Sequence, residues 1–233
     1  MQDRLIVALD LPDADAARAL VTRIGDAANF YKIGMELCMA PGFLELISWL
    51  RAQDKQVFVD LKFFDIPQTV ALAVARLSAH DVQLCTVHGN QSIMQAAAGA
   101  KSNGLKVLAV TALTSLDRGD LADLGFDCDV GELVLSRARR ALAAGCDGVV
   151  SSGLEVERLR AEAPAELIVV TPGIRPVDND VETDMSDQKR VMTPAQAIAA
   201  GATYLVVGRP LRDVADPRAA ALAIQSEIAG AIA

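Results

Sequence analysis

Short apolar runs alternate with longer alanine-rich segments along the whole chain, and this alternation limits the folds that the chain can form. The apolar runs predict eight buried strands at residues 5–9, 29–33, 56–61, 83–87, 105–111, 148–151, 167–171 and 204–207. The other segments predict helices at residues 13–24, 42–52, 69–79, 91–101, 130–144, 154–161, 194–200 and 216–232. Eight strand–helix units in 233 residues predict an α/β fold, the (β/α)8 TIM barrel, with one domain over residues 1–233.

An open, doubly wound sheet is the alternative arrangement of the same units. No G-x-G-x-x-G follows the first predicted strand, which weakens a dinucleotide-binding version of that sheet. A long polar loop at residues 173–192 follows the seventh predicted strand. Its length and polarity suggest a mobile lid that covers a binding site, and a disordered loop without a role in binding is an equal alternative.

The net charge of −8 argues against a nucleic-acid partner and against an anionic membrane surface. The first ten residues contain only a five-residue apolar run, so neither a signal peptide nor a membrane span is expected there. The four cysteines are scattered without a C-x-x-C pair, which favours reduced thiols over disulfides or metal ligands. These observations predict a cytoplasmic protein with a small-molecule ligand.

The segment VFVDLKFFDIPQT at residues 57–69 carries the most informative charges of the chain. Alternation along a strand places Phe58, Asp60 and Lys62 on one face. Apolar neighbours flank both charged residues, and isolated charges in such a setting are costly unless they are paired. Asp65 adds a third charge just before Ile-Pro turns the chain into a helix. A structural ion pair at a strand end is the alternative to a catalytic set.

Polar residues follow the carboxyl ends of most of the predicted strands. In a TIM barrel the carboxyl ends of all strands lie at the same face of the barrel, which carries the active site, so these residues are expected to surround one pocket. The strand-end residues are Asp10, Lys32, Asp60, Lys62, His88, Thr111, Ser151, Thr171, Gly208 and Arg209. For His88 we favour a structural hydrogen bond over metal binding, since no other metal ligand lies near it in sequence.

The lysines among these residues indicate the chemistry. Lys32 and Lys62 are expected beside carboxylates, which favour the protonated form of an amine. A protonated lysine can stabilise a developing carbanion and then donate a proton to it. A solvated network of salt bridges is the alternative interpretation.

The end of the chain carries the features of a phosphate site. Gly208 and Arg209 follow the eighth predicted strand, and Arg175 lies on the loop after the seventh. Exposed backbone N–H groups and a guanidinium fork suit a phosphate group, which TIM barrels commonly bind at this place. An arginine in a surface turn is the alternative.

Together these motifs resemble the orotidine 5′-phosphate decarboxylase family over essentially the whole chain. The most specific match is D-x-K-x-x-D-I-P-x-T at residues 60–69. YKIGMEL, VTALTS, TPGIRP and DQKRVMTP also match in the family's order, at residues 31–37, 110–115, 171–176 and 187–194. The resemblance implies decarboxylation of orotidine 5′-monophosphate to UMP and CO2 by a homodimer, without cofactor or metal.

The resemblance also implies a role for each matching residue. Asp60, Lys62, Asp65 and Lys32 form the catalytic set, with Lys62 as the proton donor. The other substrate contacts that it implies are Asp10 with Lys32 at the ribose hydroxyls, Thr114 at the pyrimidine, Arg175, Gln188, Gly208 and Arg209 at the phosphate, and Asp65 with Thr69 at the site of the neighbouring subunit.

Two other functions remain open at this stage. A metal-dependent relative on the same barrel, a sugar-phosphate decarboxylase or aldolase, resembles the motif around Asp60 and Asp65 but has a glutamate near the place of Lys32. A lysine there would repel the metal ion. A non-catalytic barrel that binds a phosphate ligand is the second alternative, and it has no need of a buried Asp–Lys–Asp set.

Overall fold

The computed structural model describes residues 4–176 and 191–232. These ranges contain the strands β1 (Leu5–Ala8), β2 (Phe30–Ile33), β3 (Gln56–Phe63), β4 (Leu84–His88), β5 (Lys106–Val110), β6 (Gly148–Val150), β7 (Ile168–Thr171) and β8 (Tyr204–Val207). They also contain the helices α1 (Ala14–Ile24), α2 (Met35–Met39), α3 (Phe43–Arg51), α4 (Pro67–Ser78), α5 (Gln91–Ala100), α6 (Arg118–Asp123), α7 (Val130–Ala143), α8 (Val156–Glu162), α9 (Pro194–Ala199), α10 (Arg209–Arg212) and α11 (Pro217–Gly230).

Consecutive strands are parallel neighbours, and β8 pairs with β1 to close the sheet into a barrel. At the closure, Leu5 lies opposite Leu205 and Val7 opposite Val207. This confirms the predicted TIM barrel, and the open doubly wound sheet is wrong because an open sheet would leave two strand edges unpaired.

The core has two layers that follow from alternation along the strands. Side chains that point into the barrel fill its interior: Ile6, Ala8, Phe30, Phe58, Leu84, Leu108, Val170 and Val206. The intervening positions, such as Leu5, Val7 and Val59, pack outward against the helices. The interior of the barrel is therefore filled by a packed core.

The structure differs from the sequence prediction mainly in short elements. The helices α2 and α10 were not predicted, because five and four residues are too few for a helical period to be recognised. The strand β3 runs two residues past the predicted end at residue 61, and α4 begins two residues early, at Pro67. The proline favours this start because it needs no hydrogen-bond acceptor at the first helical position.

Within the described ranges, no helix combines the length and the apolar character needed to cross a membrane. The organisation of residues 1–233 as one domain stays a prediction. The predicted lid loop falls largely on residues 177–190, which lie outside the described residues.

Candidate active site

A cavity of about 520 Å³ opens at the carboxyl ends of the strands. Its floor is formed by residues of the inner layer, among them Ala8, Phe58 and Val206. The polar side chains that line it are those of Asp10, Lys32, Asp60, Lys62, Thr114, Arg175, Arg209 and Arg212, and Gly208 lines it as well. The cavity thus combines an apolar floor with charges of both signs, as expected of a site for a polar small molecule.

The period of the strands explains why charged residues meet at this floor. Asp10 lies two positions beyond Ala8, and Lys32 lies two positions beyond Phe30. Asp60 likewise lies two positions beyond Phe58, an interior residue of β3. Because side chains two apart on a strand share a face, the strands that point Ala8, Phe30 and Phe58 inward also point the residue two positions further along into the cavity.

Lys62 reaches the cavity through an irregularity in β3. Val59 lies opposite Cys85, but Phe63 lies opposite Val87, so β3 takes four steps where β4 takes two. Within this bulge Lys62 has a φ angle of +50°, in the left-handed region. Such a conformation is uncommon for a residue other than glycine and costs about 1–3 kcal/mol, and it persists only where the surroundings fix it.

The charges form an alternating chain. Lys32 Nζ lies 2.8 Å from Asp10 Oδ1 and 3.8 Å from Asp60 Oδ2. Lys62 Nζ donates a hydrogen bond to Asp60 Oδ1 at 3.0 Å. The side chains of Lys32 and Asp60 are only 10% and 14% exposed, so water screens these contacts weakly. A Cβ atom at Gly34 would lie 3.1 Å from Lys32 Nζ, so glycine leaves room for this chain.

Thr86 fixes the same carboxylate from β4, a role that the sequence analysis missed. Its Oγ1 donates to Asp60 Oδ1 and accepts from the backbone N–H of Lys62, both at 2.9 Å. The available signal was alternation, since Leu84 points into the barrel and Thr86 lies two positions further along β4.

The residues predicted for the pyrimidine and the phosphate lie around the same opening. Thr114, Arg175, Gly208 and Arg209 all line the cavity. Two arginines and a strand-end glycine therefore line the same cavity as the chain of alternating charges. Gln188, predicted for the phosphate, lies outside the described residues.

Arg212 is a third arginine at this opening, and the sequence analysis also missed it. It lies three positions after Arg209, which places both on one side of a helical turn. Its Nη1 donates to the backbone oxygen of Asp10 at 2.8 Å. The side-chain hydrogen bonds of Arg212 lower the pKa of Asp213, and the same bonds raise the pKa of Arg212. Arg212 is therefore held as a cation against the loop that follows β1.

Asp65 and Thr69 are not brought to the cavity of their own chain. Both are exposed at the rim of the barrel, and neither lines the cavity. The Asp65 Oδ1 atom accepts a hydrogen bond from the backbone N–H of Ile66 at 2.6 Å. Of the predicted catalytic set, one chain therefore assembles Lys32, Asp60 and Lys62.

Four of the predicted strand-end residues do not line the cavity: His88, Thr111, Ser151 and Thr171. His88 Nδ1 instead shares a hydrogen bond with Asn90 Oδ1 at 2.8 Å, in line with the structural role favoured for it. Only some of the polar residues at the strand ends therefore line the pocket, contrary to the expectation that all of them would surround it.

Within the described ranges, no group of three or more His, Cys, Asp or Glu residues is arranged to hold a metal ion. The carboxylates of the cavity face ammonium groups instead. A cation bound to Asp60 would meet Lys32 Nζ on one side and Lys62 Nζ on the other. These charges disfavour a metal at this carboxylate.

Comparison with known proteins identifies the family. The family model described as "Orotidine 5'-phosphate decarboxylase / HUMPS family" matches residues 3–224. This chain belongs to that family. The resemblance recognised in the sequence motifs is therefore confirmed.

Relatives within the orotidine 5′-phosphate decarboxylase / HUMPS family are similar over nearly their whole length. An orotidine 5′-phosphate decarboxylase of Methylococcus capsulatus is 63% identical over 97% of this chain and 92% of its own. One from Rhodopseudomonas palustris strain BisB5 is 51% identical over 99% of this chain and 96% of its own. The crystal structure of orotidine 5′-phosphate decarboxylase from Lactobacillus acidophilus superposes with a TM-score of 0.84 at 33% identity, and covers 97% of this chain and 99% of that one.

Proposed function

We propose that this chain decarboxylates orotidine 5′-monophosphate to UMP and CO2, a step of pyrimidine biosynthesis. The observation that carries the proposal is the chain of alternating charges from Asp10 through Lys32 and Asp60 to Lys62 at the cavity floor. Membership of the family and the names of its close relatives support the same reaction. The four scattered cysteines, without a C-x-x-C pair, favour the cytoplasmic location that we propose.

The chemical problem is the electron pair that departing CO2 leaves on C6 of the pyrimidine. Lys62 supplies an ammonium group that stabilises this charge and then donates a proton to C6. The resulting amine regains a proton from solvent. Asp60 holds the ammonium in place before the substrate arrives, so little reorganisation is needed when the charge develops.

Substrate binding would use the rest of the cavity. We assign the phosphate to Arg175 and Arg209, which line the cavity, with Gly208 allowing its close approach. Gln188 belongs to the same proposed site. Asp10 and Lys32 are assigned to the ribose hydroxyls, and Thr114 to the pyrimidine. The proposed phosphate contacts affect the reaction rate, because binding energy from a remote group of the substrate can be used to stabilise the transition state.

We further propose a homodimer in which Asp65 and Thr69 serve the neighbouring site. Both residues are exposed at the rim, where a second subunit can reach them. The segment around them carries large apolar side chains that are exposed in one chain: Phe64 is 65% exposed, Ile66 66% and Leu72 58%. Burial of this surface between two copies would stabilise the pair, and symmetric dimers are the commonest oligomers.

A metal-dependent sugar-phosphate decarboxylase or aldolase is the nearest alternative within the same family. It is disfavoured by Lys32 Nζ, which lies 3.8 Å from Asp60 Oδ2 and would repel a cation there. A barrel that only binds a phosphate ligand is disfavoured by the cost of holding two lysines and two acids together without chemical use.

The test is to follow the absorbance of orotidine 5′-monophosphate after addition of protein stripped of metal by a chelator. We expect complete conversion to UMP and no effect of added Mg²⁺. Conversion that depends fully on Mg²⁺ would favour the metal-dependent alternative. Binding of UMP without any conversion of orotidine 5′-monophosphate would favour the non-catalytic barrel.

A further inference from the structure

Thr86 is a fully buried hydroxyl whose two hydrogen-bonding roles are both used at the active site. It accepts from the backbone N–H of Lys62, so its single proton is free to go to the Asp60 carboxylate. The side chain is 0% exposed, so water cannot replace either bond. One atom of β4 therefore contacts both members of the Asp60–Lys62 pair.

The hydrogen bond with the backbone N–H of Lys62 helps to hold the irregular backbone of β3. Where the strand bulges, the regular pairing with β4 is interrupted between Val59 and Phe63. A buried backbone N–H in such a place needs another acceptor, and the Thr86 hydroxyl is that acceptor for Lys62. The same bond fixes the residue that carries a φ of +50°. Without it, the left-handed conformation of Lys62 would lose one of the contacts that hold it.

The bond to Asp60 sets the direction of the carboxylate. Thr86 Oγ1 and Lys62 Nζ both bond to Oδ1, which leaves Oδ2 turned towards Lys32 Nζ at 3.8 Å. That distance is too long for a hydrogen bond. If the Thr86 proton were absent, Asp60 could rotate to a closer pair with Lys32 and release Lys62.

We propose that Thr86 is a positioning residue for the reaction, which aims the Lys62 ammonium by fixing both the bulged backbone and the Asp60 carboxylate. The inference rests on the proposed decarboxylase function. It assigns Thr86 no contact with the substrate, so its loss should affect kcat far more than the binding of UMP.

Three variants test the proposal. Thr86→Val keeps the shape of the side chain but removes both hydrogen bonds, and Thr86→Ser restores the hydroxyl. Thr111→Val is the matched control, because Thr111 is equally buried just after β5 and its hydroxyl donates to the backbone oxygen of Val150. For each variant we would measure kcat, KM, the Kd of UMP and the melting temperature.

We expect Thr86→Val to lower kcat by about 10- to 100-fold, the usual effect of a lost hydrogen bond to a charged group, with a UMP Kd within about twofold of the parent. Thr86→Ser should recover most of kcat, and Thr111→Val should keep it. A kcat for Thr86→Val within twofold of the parent would overturn the inference, as would an equal loss in Thr111→Val.

If Thr86→Val does not fold, the comparison passes to Thr86→Ala and Thr86→Ser, with the same expectation of loss and recovery. Equal kcat values for that pair would overturn the inference. The activity of the parent protein separates the two proposals. If the parent does not convert orotidine 5′-monophosphate, the decarboxylase function itself is refuted. If the parent is active and removal of the Thr86 hydroxyl leaves kcat unchanged, only the role of Thr86 is refuted.

Discussion

Lys62 Nζ lies 3.0 Å from Asp60 Oδ1, although the two residues are only two positions apart on one strand. In a regular strand the side chains of such residues stand nearly parallel, about 7 Å apart. The bulge in β3 and the left-handed backbone of Lys62 accompany their closer approach. The proposed proton donor is therefore oriented before substrate binds, which is the condition for electrostatic catalysis without reorganisation.

Arg209→Ala should weaken UMP binding by roughly 10- to 100-fold and leave uridine binding nearly unchanged, because a charge-assisted contact with phosphate is lost. The measurement is the Kd of each ligand by calorimetry. Arg139→Ala is the control, since Arg139 pairs with Glu162 on the outer helices. Equal weakening for UMP and uridine would place Arg209 outside the phosphate site.

The buried thiols give a prediction that depends on pH. Burial raises the pKa values of Cys85 and Cys146 to about 12, from an ordinary thiol value near 9. At pH 8 both stay protonated in the folded protein, so at most two of the four cysteines should react quickly with a thiol reagent. In denaturant all four should react. Rapid reaction of all four in the folded protein would contradict the burial.

The raised pKa values of the two thiols also determine how the stability of the protein depends on pH. The unfolded state loses these thiol protons at a lower pH than the folded state does. Stability from the two cysteines is therefore complete well below pH 9, the ordinary pKa of an unfolded thiol, and falls as the pH rises from there towards 12. Cys85→Ala should reduce the pH dependence of the melting temperature in that range.

A mixture of two inactive variants tests whether sites are shared. If Asp65 serves the neighbouring site, a dimer of Lys62→Ala with Asp65→Ala has one site that lacks both groups and one that lacks neither. Random reassociation of equal amounts should then restore about a quarter of the parental activity. Each variant alone, taken through the same procedure, is the control. Activity that stays at the level of the controls would show that Asp65 acts in its own chain.

The sequence predicted most of the fold and the site because both depend on a simple period. Alternation placed Asp60 beside Phe58 on the inward face, and the structure has both residues in the cavity. The conformation of Lys62 could not be predicted, because no glycine or turn motif marks the bulge. Thr86 was missed for a related reason, since its importance comes from the register between β3 and β4, which a single strand does not reveal.

The position of Asp65 shows a second limit. The family resemblance implied that Asp65 serves the site of the neighbouring subunit, and in the structure Asp65 is exposed past the end of β3, where the chain turns at Ile66. A local motif cannot tell whether its members meet within one chain or across two. The homodimer therefore remains a proposal.

The central claim is that the Lys62 ammonium stabilises the C6 carbanion and protonates it. The most direct measurement is kcat for orotidine 5′-monophosphate with Lys62→Ala, together with the Kd of UMP. Lys106→Ala is a matched control, because Lys106 begins β5 at the opposite end of the barrel and pairs with Asp147 at 3.4 Å. We expect Lys62→Ala to lose roughly 10³-fold or more in kcat while it still folds and binds UMP. A kcat close to that of the parent would contradict the account, because the proton would then come from another group.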